Sequence, residues 1–477
     1  MKLAHLIDGT RLAVGGMKDF ATGFADPALR IGVTGLARSG KTVFITAVIQ
    51  ALLKDARLPL FDAHAQGRIR RAYLEPQPDD DLPRFSFEDH IAALTAKDRK
   101  WPESTRRLSQ IRLTIDYTPI GLFARNFGSG RLHVDIVDYP GEWLLDLPLM
   151  SKSYAGWSAE TVAASRKAPR LALAAGWHAH LTGLDPAAKA DEADAVKAAE
   201  LFTAYLARCR ASDISLSSLP PGRFLMPGDL EGSPLLTFAP LDIDPGASIA
   251  SGSLAALMAR RYDSYVSRIV KPFFFGHFAR LDRQIVLVDV LSALNAGADA
   301  VGDLRTALTD VLACFRQGAN SWTSALFGRR INRILFAAAK ADLLHHTSHD
   351  RLEAILRVLI EDAASRAEFS GAAIDVAALS AIRATREASV RRKGEDLPCI
   401  VGVPQRGETI ADETFDGNTE AAIFPGDLPA NPQLALEGGL EGALRFVKFR
   451  PPAVKGEPFP HIRLDRALEF LLGDRFA

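Results

Sequence analysis

Residues 35–42 read GLARSGKT, between a short apolar run, Leu29-Arg30-Ile31-Gly32-Val33, and a longer one that begins at Val43. No other stretch narrows the possible folds so far. The octet fills the pattern G-x-x-x-x-G-K-[ST] with Gly35, Gly40, Lys41 and Thr42. Glycine lets a backbone curl until successive N–H groups point at one anion. A helix that starts at the exit of such a loop turns its positive dipole end towards the same anion. The flanking apolar residues predict a strand before the loop and a helix from Lys41 to about Leu53 after it. The expected phosphate-binding residues are Gly35, Arg38, Ser39, Gly40, Lys41, Thr42 and Val43. Lys41 is expected to reach the β- and γ-phosphates and Thr42 to hold Mg²⁺. Arg38 has two readings, beside the phosphates or facing solvent.

A second strand, Leu132-His133-Val134-Asp135-Ile136-Val137-Asp138, ends in D-x-x-G with Gly141. Asp138 is expected in the Mg²⁺ shell, and the Gly141 N–H beside a γ-phosphate, because glycine permits close approach. Between loop and strand lies Trp101-Pro102-Glu103-Ser104-Thr105, just ahead of the alternating strand Ile111–Tyr117. Thr105 stands where a switch threonine would close on Mg²⁺ and the γ-phosphate; a plain turn or cap is the other reading. Glu142 follows Gly141 where a water-orienting glutamine is usual. A carboxylate there adds negative charge near the γ-phosphate, so slow hydrolysis is expected.

The base is addressed further on. Arg333-Ile334-Leu335-Phe336-Ala337-Ala338-Ala339-Lys340-Ala341-Asp342 reads as a strand and its end. Lys340 and Asp342 fit [NT]-K-x-D, whose carboxylate accepts two hydrogen bonds from guanine, while Ala339 lacks the usual amide or hydroxyl. A later strand from Ala373 runs into Leu379-Ser380-Ala381-Ile382; Ala381 and Ile382 are expected to offer backbone N–H to the base. Guanine is favoured over adenine. Another apolar strand, Arg283–Leu291, precedes a helix near Asp299–Phe315, and Asp289 reads as a strand-end residue. Six strands in this sequence, with helices between, spell a Ras-like α/β core: a mostly parallel sheet flanked by helices.

The 477 residues suggest two or three domains, and 57 basic against 57 acidic residues argue against a coat for nucleic acid. Cys209, Cys314 and Cys399 lie far apart, which fits a reducing cytoplasm. No apolar run is long enough to span a membrane. Residues 144–281 interrupt the core with Ala-rich helical spacing, as in Ala187–Arg208. The Phe273-Phe274-Phe275 run reads as core. His178 and His180, and His345, His346 and His349, read as solvated or capping histidines rather than metal ligands. Arg383, Arg386, Arg391, Arg392 and Lys393 read as a solvated helix face. Leu464–Leu472 predicts a short amphipathic helix on the core.

The pieces GLARSGKTVFITAVIQALL, WPEST, VDYPGEWLLDLPL, RQIVLVDVLSALNAG, AKADLL and LSAIRATRE extend well beyond generic motifs, and with them the chain resembles the YcjX-like family of stress-associated P-loop NTPases. The opening Met1–Leu29 and the tail VKFRPP resemble it too. The resemblance implies a Ras-like G domain, guanine-nucleotide (GTP/GDP) binding, Mg²⁺ dependence, a bacterial cytoplasmic location and an all-helical insert similar to TBC-type domains. The expected division is an N-terminal helical segment 1–29, a G domain from 30–143 and 282–400, a helical insert 144–281, and a C-terminal part 401–477. The expected function is a GTP-binding, slowly hydrolysing switch whose insert meets a protein partner. An ATPase of the same loop type, or a nucleotide-loaded scaffold, stays open.

Overall fold

The computed structural model describes residues 28–476 apart from 36–38, 104–106, 121–129, 213–215, 315–330, 370, 393–394, 411 and 441. The expected N-terminal helix, Arg38, Thr105 and Lys393 therefore lie outside the described residues.

The centre is a seven-stranded sheet: β1 (Ala28–Gly35), β2 (Ile69–Glu75), β3 (Ser109–Tyr117), β4 (Arg131–Asp138), β5 (Arg283–Val288), β6 (Arg333–Ala338) and β7 (Ala373–Ala378), in the order β2-β3-β4-β1-β5-β6-β7. β3 runs antiparallel to both β2 and β4, and every other pairing is parallel. This is a mixed α/β fold with a mostly parallel sheet flanked by helices, the Ras-like arrangement. The six strands predicted from sequence are present. β2, an added edge strand with its arginines exposed, is new.

β5 and β6 each carry an unbroken apolar stretch, Ile285–Val288 and Ile334–Ala338, because both faces of the sheet are covered there. In β5, Ile285 and Leu287 join one apolar cluster while Val286 and Val288 join the other, the two-residue period of a strand. The first cluster holds helix α1 (Lys41–Leu53) and the C-terminal helix, in which Leu464, Ala467, Leu468, Leu471 and Leu472 form one buried stripe. Arg283, fully buried at the entry to β5, pairs with Asp474 at 2.7 Å, and Arg333 donates to the Phe470 carbonyl at 2.7 Å. The last turn of the C-terminal helix is thereby tied to the end of the sheet opposite the phosphate loop.

The second face carries α2 (Tyr154–Ser165), α3 (Arg170–Thr182), α4 (Glu192–Ala211), α5 (Leu254–Tyr265), α6 (Ala298–Cys314) and α7 (His349–Phe369). Trp157 stacks on Tyr262 at 5.2 Å and Trp177 on Tyr205 at 5.1 Å, and all four belong to the same cluster as Val288 and Phe336. The helices between β4 and β5 thus share a continuous core with the sheet. α5 continues through a π turn over Val266–Val270 into Lys271–Gly276. There Phe273 and Phe274 are buried, while Phe275 is 55% exposed.

One expectation is overturned. Arg386–Arg392 is not a helix face but strand β8, antiparallel to β9 (Glu395–Gly402). Its arginines are spaced by one residue and by five, so one strand serves them as well as a helix would. The pairing with β9 decides.

Candidate nucleotide site

Gly40 precedes α1 with φ of 88°, the left-handed region in which glycine alone is unstrained, and the chain turns there from loop into helix. Lys41 is the first helical residue. Its side chain folds back so that Nζ donates to the Gly35 carbonyl at 2.9 Å. Burial pushes its pKa down, while the carboxylates of Glu142 and Asp138 act to keep it charged. A Cβ on Gly141 would stand 1.8 Å from the Gly35 oxygen and 3.0 Å from Lys41 Nζ. The D-x-x-G turn rests on the phosphate loop so closely that only glycine fits. The sheet register explains why they meet: Val33 of β1 lies opposite Asp138 of β4. Asp138 and Thr42 are both buried, and the buried Ser39 hydroxyl has no hydrogen-bond partner among the described residues.

The other end of the site is built by the exits of β6 and β7. Lys340 has φ of 62° and pairs with Asp289, whose carboxylate also caps the helix Val290–Asn295 through Ser292 N–H. Asp342 is buried. Its Oδ1 accepts from the Ser380 hydroxyl at 2.8 Å and its Oδ2 from Ala384 N–H at 2.9 Å; burial raises its pKa. His349 faces the Ala341 carbonyl at 2.9 Å and closes the same turn from below. His346 is exposed, in keeping with a solvated histidine, and both it and His345 face Glu387.

One cleft of about 1040 Å³ joins these two ends. Ser39, Gly40, Lys41, Thr42 and Val43 line it on one side, and Lys340, Asp342, Ala381 and Ile382 on the other. Ala339 also faces it, as do Phe446–Phe449 of the C-terminal part, which no motif marks. The sheet order, the phosphate-loop geometry and the shared cleft form one arrangement, and comparison with known proteins agrees with it. The model of the YcjX-like family, DUF463, matches residues 29–476. The chain belongs to this family. It is 38% identical over 461 residues to the "Ras-like GTPase YcjX" of Escherichia coli (strain K12), covering 94% of this chain and 96% of the relative. It is 35% identical over 484 residues to the protein of the same name from Shewanella oneidensis, covering 94% and 95%.

In this family member the segment after Gly141 is held by the helices that follow it. Gly141–Ser151 forms successive 3₁₀ turns, almost wholly buried. The Arg210 guanidinium at the end of α4 pairs with the Glu142 carboxylate at 2.6 Å, and its charge lowers the Lys41 pKa. A Cβ on Gly222 would lie 1.8 Å from the Glu142 carbonyl oxygen. Arg223 sits 3.2 Å above the Trp143 ring, whose N–H donates to the Met226 carbonyl at 3.0 Å. Sequence reasoning missed Arg210 and Gly222, because the one cue, a distance in space to Glu142, has no counterpart in residue spacing.

Asp146 belongs to the same clasp. It accepts from Gly222 N–H at 2.6 Å and from the Tyr265 hydroxyl at 2.6 Å, and burial raises its pKa from 3.8 to about 6. Folding therefore strengthens its hold on a proton. Its contribution to stability is complete below about pH 3.8, is lost as pH rises through about 6, and is flat above. Asp146→Asn keeps the shape and removes the titration. Between pH 4 and pH 7 the wild type should lose on the order of 3 kcal/mol relative to this variant. Urea unfolding of both proteins across that range checks it; parallel pH profiles would show that Asp146 does not titrate there.

Proposed function

We propose that the chain binds GTP and hydrolyses it slowly in the presence of Mg²⁺, acting as a switch. The observation that carries this reading is the single cleft with the phosphate loop at one end and Asp342, Ser380, Ala381 and Ile382 at the other. The names of the two relatives support the same activity. Lys41 and the loop N–H groups, with Ser39, hold the β- and γ-phosphates, and Gly141 N–H meets the γ-phosphate. Asp342 accepts from the guanine N1–H and N2–H₂ with the lone pairs that Ser380 and Ala384 leave over. Thr42 and Asp138 present the oxygen donors that suit Mg²⁺, with Thr105 as a further candidate. The ion when bound neutralises charge on the phosphate oxygens.

The contacts made by Glu142, Trp143 and Asp146 support an output through residues 144–281, which we read as a helical unit within a G domain of 30–143 and 282–400. A nucleotide that moves Gly141 pulls on Glu142 and hence on Arg210 and Gly222, and a protein partner on these helices would sense it. Among the described residues no helix is long and apolar enough to cross a membrane. Cys209 and Cys399 are free and buried, which supports a reducing, cytoplasmic location. The test is a titration of the nucleotide-free protein with GTP and with ATP, followed by Mg²⁺-dependent phosphate release. Tighter GTP binding with turnover is the expected result. Equal affinities would remove the base assignment, and binding without turnover would favour the scaffold reading.

The ion pair also supports a role for Glu142 in restraining Arg210. With its charge met by Arg210, the carboxylate holds the guanidinium away from the phosphates. Glu142→Gln releases it. Single-turnover hydrolysis should then rise roughly tenfold, equivalent to about 1.4 kcal/mol of added transition-state stabilisation. The double variant with Arg210→Ala should lose that gain. A fall in rate for Glu142→Gln in a rapid-quench series would instead make Glu142 the water-orienting base.

A further inference from the structure

We propose that His345, His346 and Glu387 form a binding site for a divalent transition ion of the zinc class, which fastens the turn after Asp342 to strand β8. Their ligand atoms all lie within 4.8 Å of one another, from two segments that are far apart in sequence. Among the described residues no other group of histidine, cysteine and carboxylate side chains is so gathered.

The geometry is close to what a tetrahedral ion requires. Bonds of ~2.0 Å place neighbouring ligand atoms about 3.3 Å apart. Here His346 Nδ1 lies 2.7 Å from Glu387 Oε2, and His345 Nε2 lies 4.0 Å from the same oxygen. The required distance falls between these two, and with no separation above 4.8 Å, side-chain shifts of about 1 Å admit the ion. The surroundings prepare the ligands. His345 Nδ1 meets the Thr347 hydroxyl at 3.1 Å, a contact that accommodates the ring proton on Nδ1 when Nε2 gives its lone pair to a cation. Arg383 lies 3.5 Å from Glu387 Oε1, so the carboxylate turns its other oxygen to the histidines. His346 is largely exposed, and its ring can carry its proton on Nε2 when Nδ1 coordinates. Solvent completes the fourth position. Two imidazoles and one carboxylate favour zinc or its transition-metal neighbours over Mg²⁺, so this site is chemically distinct from the one at Thr42 and Asp138. His349 is not a ligand; it is spent on the Ala341 carbonyl.

The location gives the ion something to do. Asp342 is joined to Ser380 and Ala384, and Thr385 donates to the Asp342 carbonyl, so the two segments already meet two residues before Glu387. A metal ion bridging His345 and His346 to Glu387 closes that junction from its outer side.

Calorimetry of the metal-free, nucleotide-free full-length protein with zinc chloride tests the proposal without involving nucleotide. One equivalent should bind. Glu387→Gln, which keeps the side-chain size, and His346→Ala should each weaken it by roughly 100-fold or more. His64→Ala, remote and paired with Asp55, should change nothing. Cobalt in place of zinc should give the visible absorption of a tetrahedral site, lost in Glu387→Gln. Hydrogen exchange at Leu344–Ser348 should slow on adding zinc. Absence of stoichiometric binding, or equal affinity in Glu387→Gln, would overturn the site; unchanged exchange in zinc-bound protein would overturn the fastening.

Discussion

Lys41→Ala should abolish measurable GTP binding while the protein stays folded. The side chain reaches across the phosphate loop to the Gly35 carbonyl, 9% exposed and within the field of Glu142 and Asp138. A phosphate entering the loop offers Lys41 a charged acceptor in place of a neutral one. Two charge-assisted hydrogen bonds at about 1.5–3 kcal/mol each amount to roughly 10²–10⁴-fold in affinity. The variant leaves the Gly35 carbonyl without its donor, a cost of about 1–3 kcal/mol, and it leaves Glu142 paired with Arg210. The circular dichroism spectrum should therefore be that of the wild type, with a lowered melting temperature. Calorimetric titration with GTP and Mg²⁺ reads the affinity. An unchanged dissociation constant in a normally folded variant would mean that the loop does not carry the triphosphate.

Much of the fold was legible because its signals are local. α1 runs from Lys41 to Leu53 as read, since a glycine-ended loop and a continuous apolar run fix both start and face. The C-terminal helix over Leu464–Leu472 was equally plain from its stripe. β5 and β6 announce themselves by unbroken apolar runs that only a doubly covered strand tolerates. What failed depended on partners. β2 carries Arg70 and Arg71 exposed at a sheet edge, and its strand character comes from β3, some forty residues away. β8 was misread because charge clustering says nothing about period. Of the candidate site, Ser39–Val43, Asp342 and the Ser380 turn line one cleft, and Gly141 lies against Gly35 and Lys41. Arg210, Gly222 and Asp146 carry no motif, and the clasp on Glu142 exists only once the helices between β4 and β5 have packed. The histidines show the same limit: nothing local to them marks Glu387, forty-one residues beyond His346, as the side chain that His346 meets.

Asp342→Asn should turn base preference from guanine towards xanthine, and the hydrogen bonds around Asp342 explain why the fold permits it. In the wild type the Ser380 hydroxyl lies 2.8 Å from Asp342 Oδ1 and 3.0 Å from the Ile382 carbonyl. It has one proton to give. An asparagine keeps its oxygen towards Ala384 N–H and turns its NH₂ to Ser380 Oγ, which then donates to Ile382. Every group stays paired, so no buried polar atom is orphaned. Replacing the carboxylate also removes the cost of burying a charge, the cause of its raised pKa. The second amide hydrogen then projects where, in the proposed pose, the carboxylate accepts from guanine N2–H₂. Guanine meets a donor opposite its own donor, whereas xanthine presents a carbonyl. Losing one hydrogen bond and opposing two donors costs about 2–4 kcal/mol, so GTP affinity should fall by roughly 30- to 1000-fold while XTP gains. Competition between GTP and XTP for the variant decides it. If GTP still wins and the variant melts like the wild type, the base does not lie against Asp342. The cleft would then hold its nucleotide in another orientation, with Ala339 and the Phe446–Phe449 wall nearer the ring than the K-x-D turn.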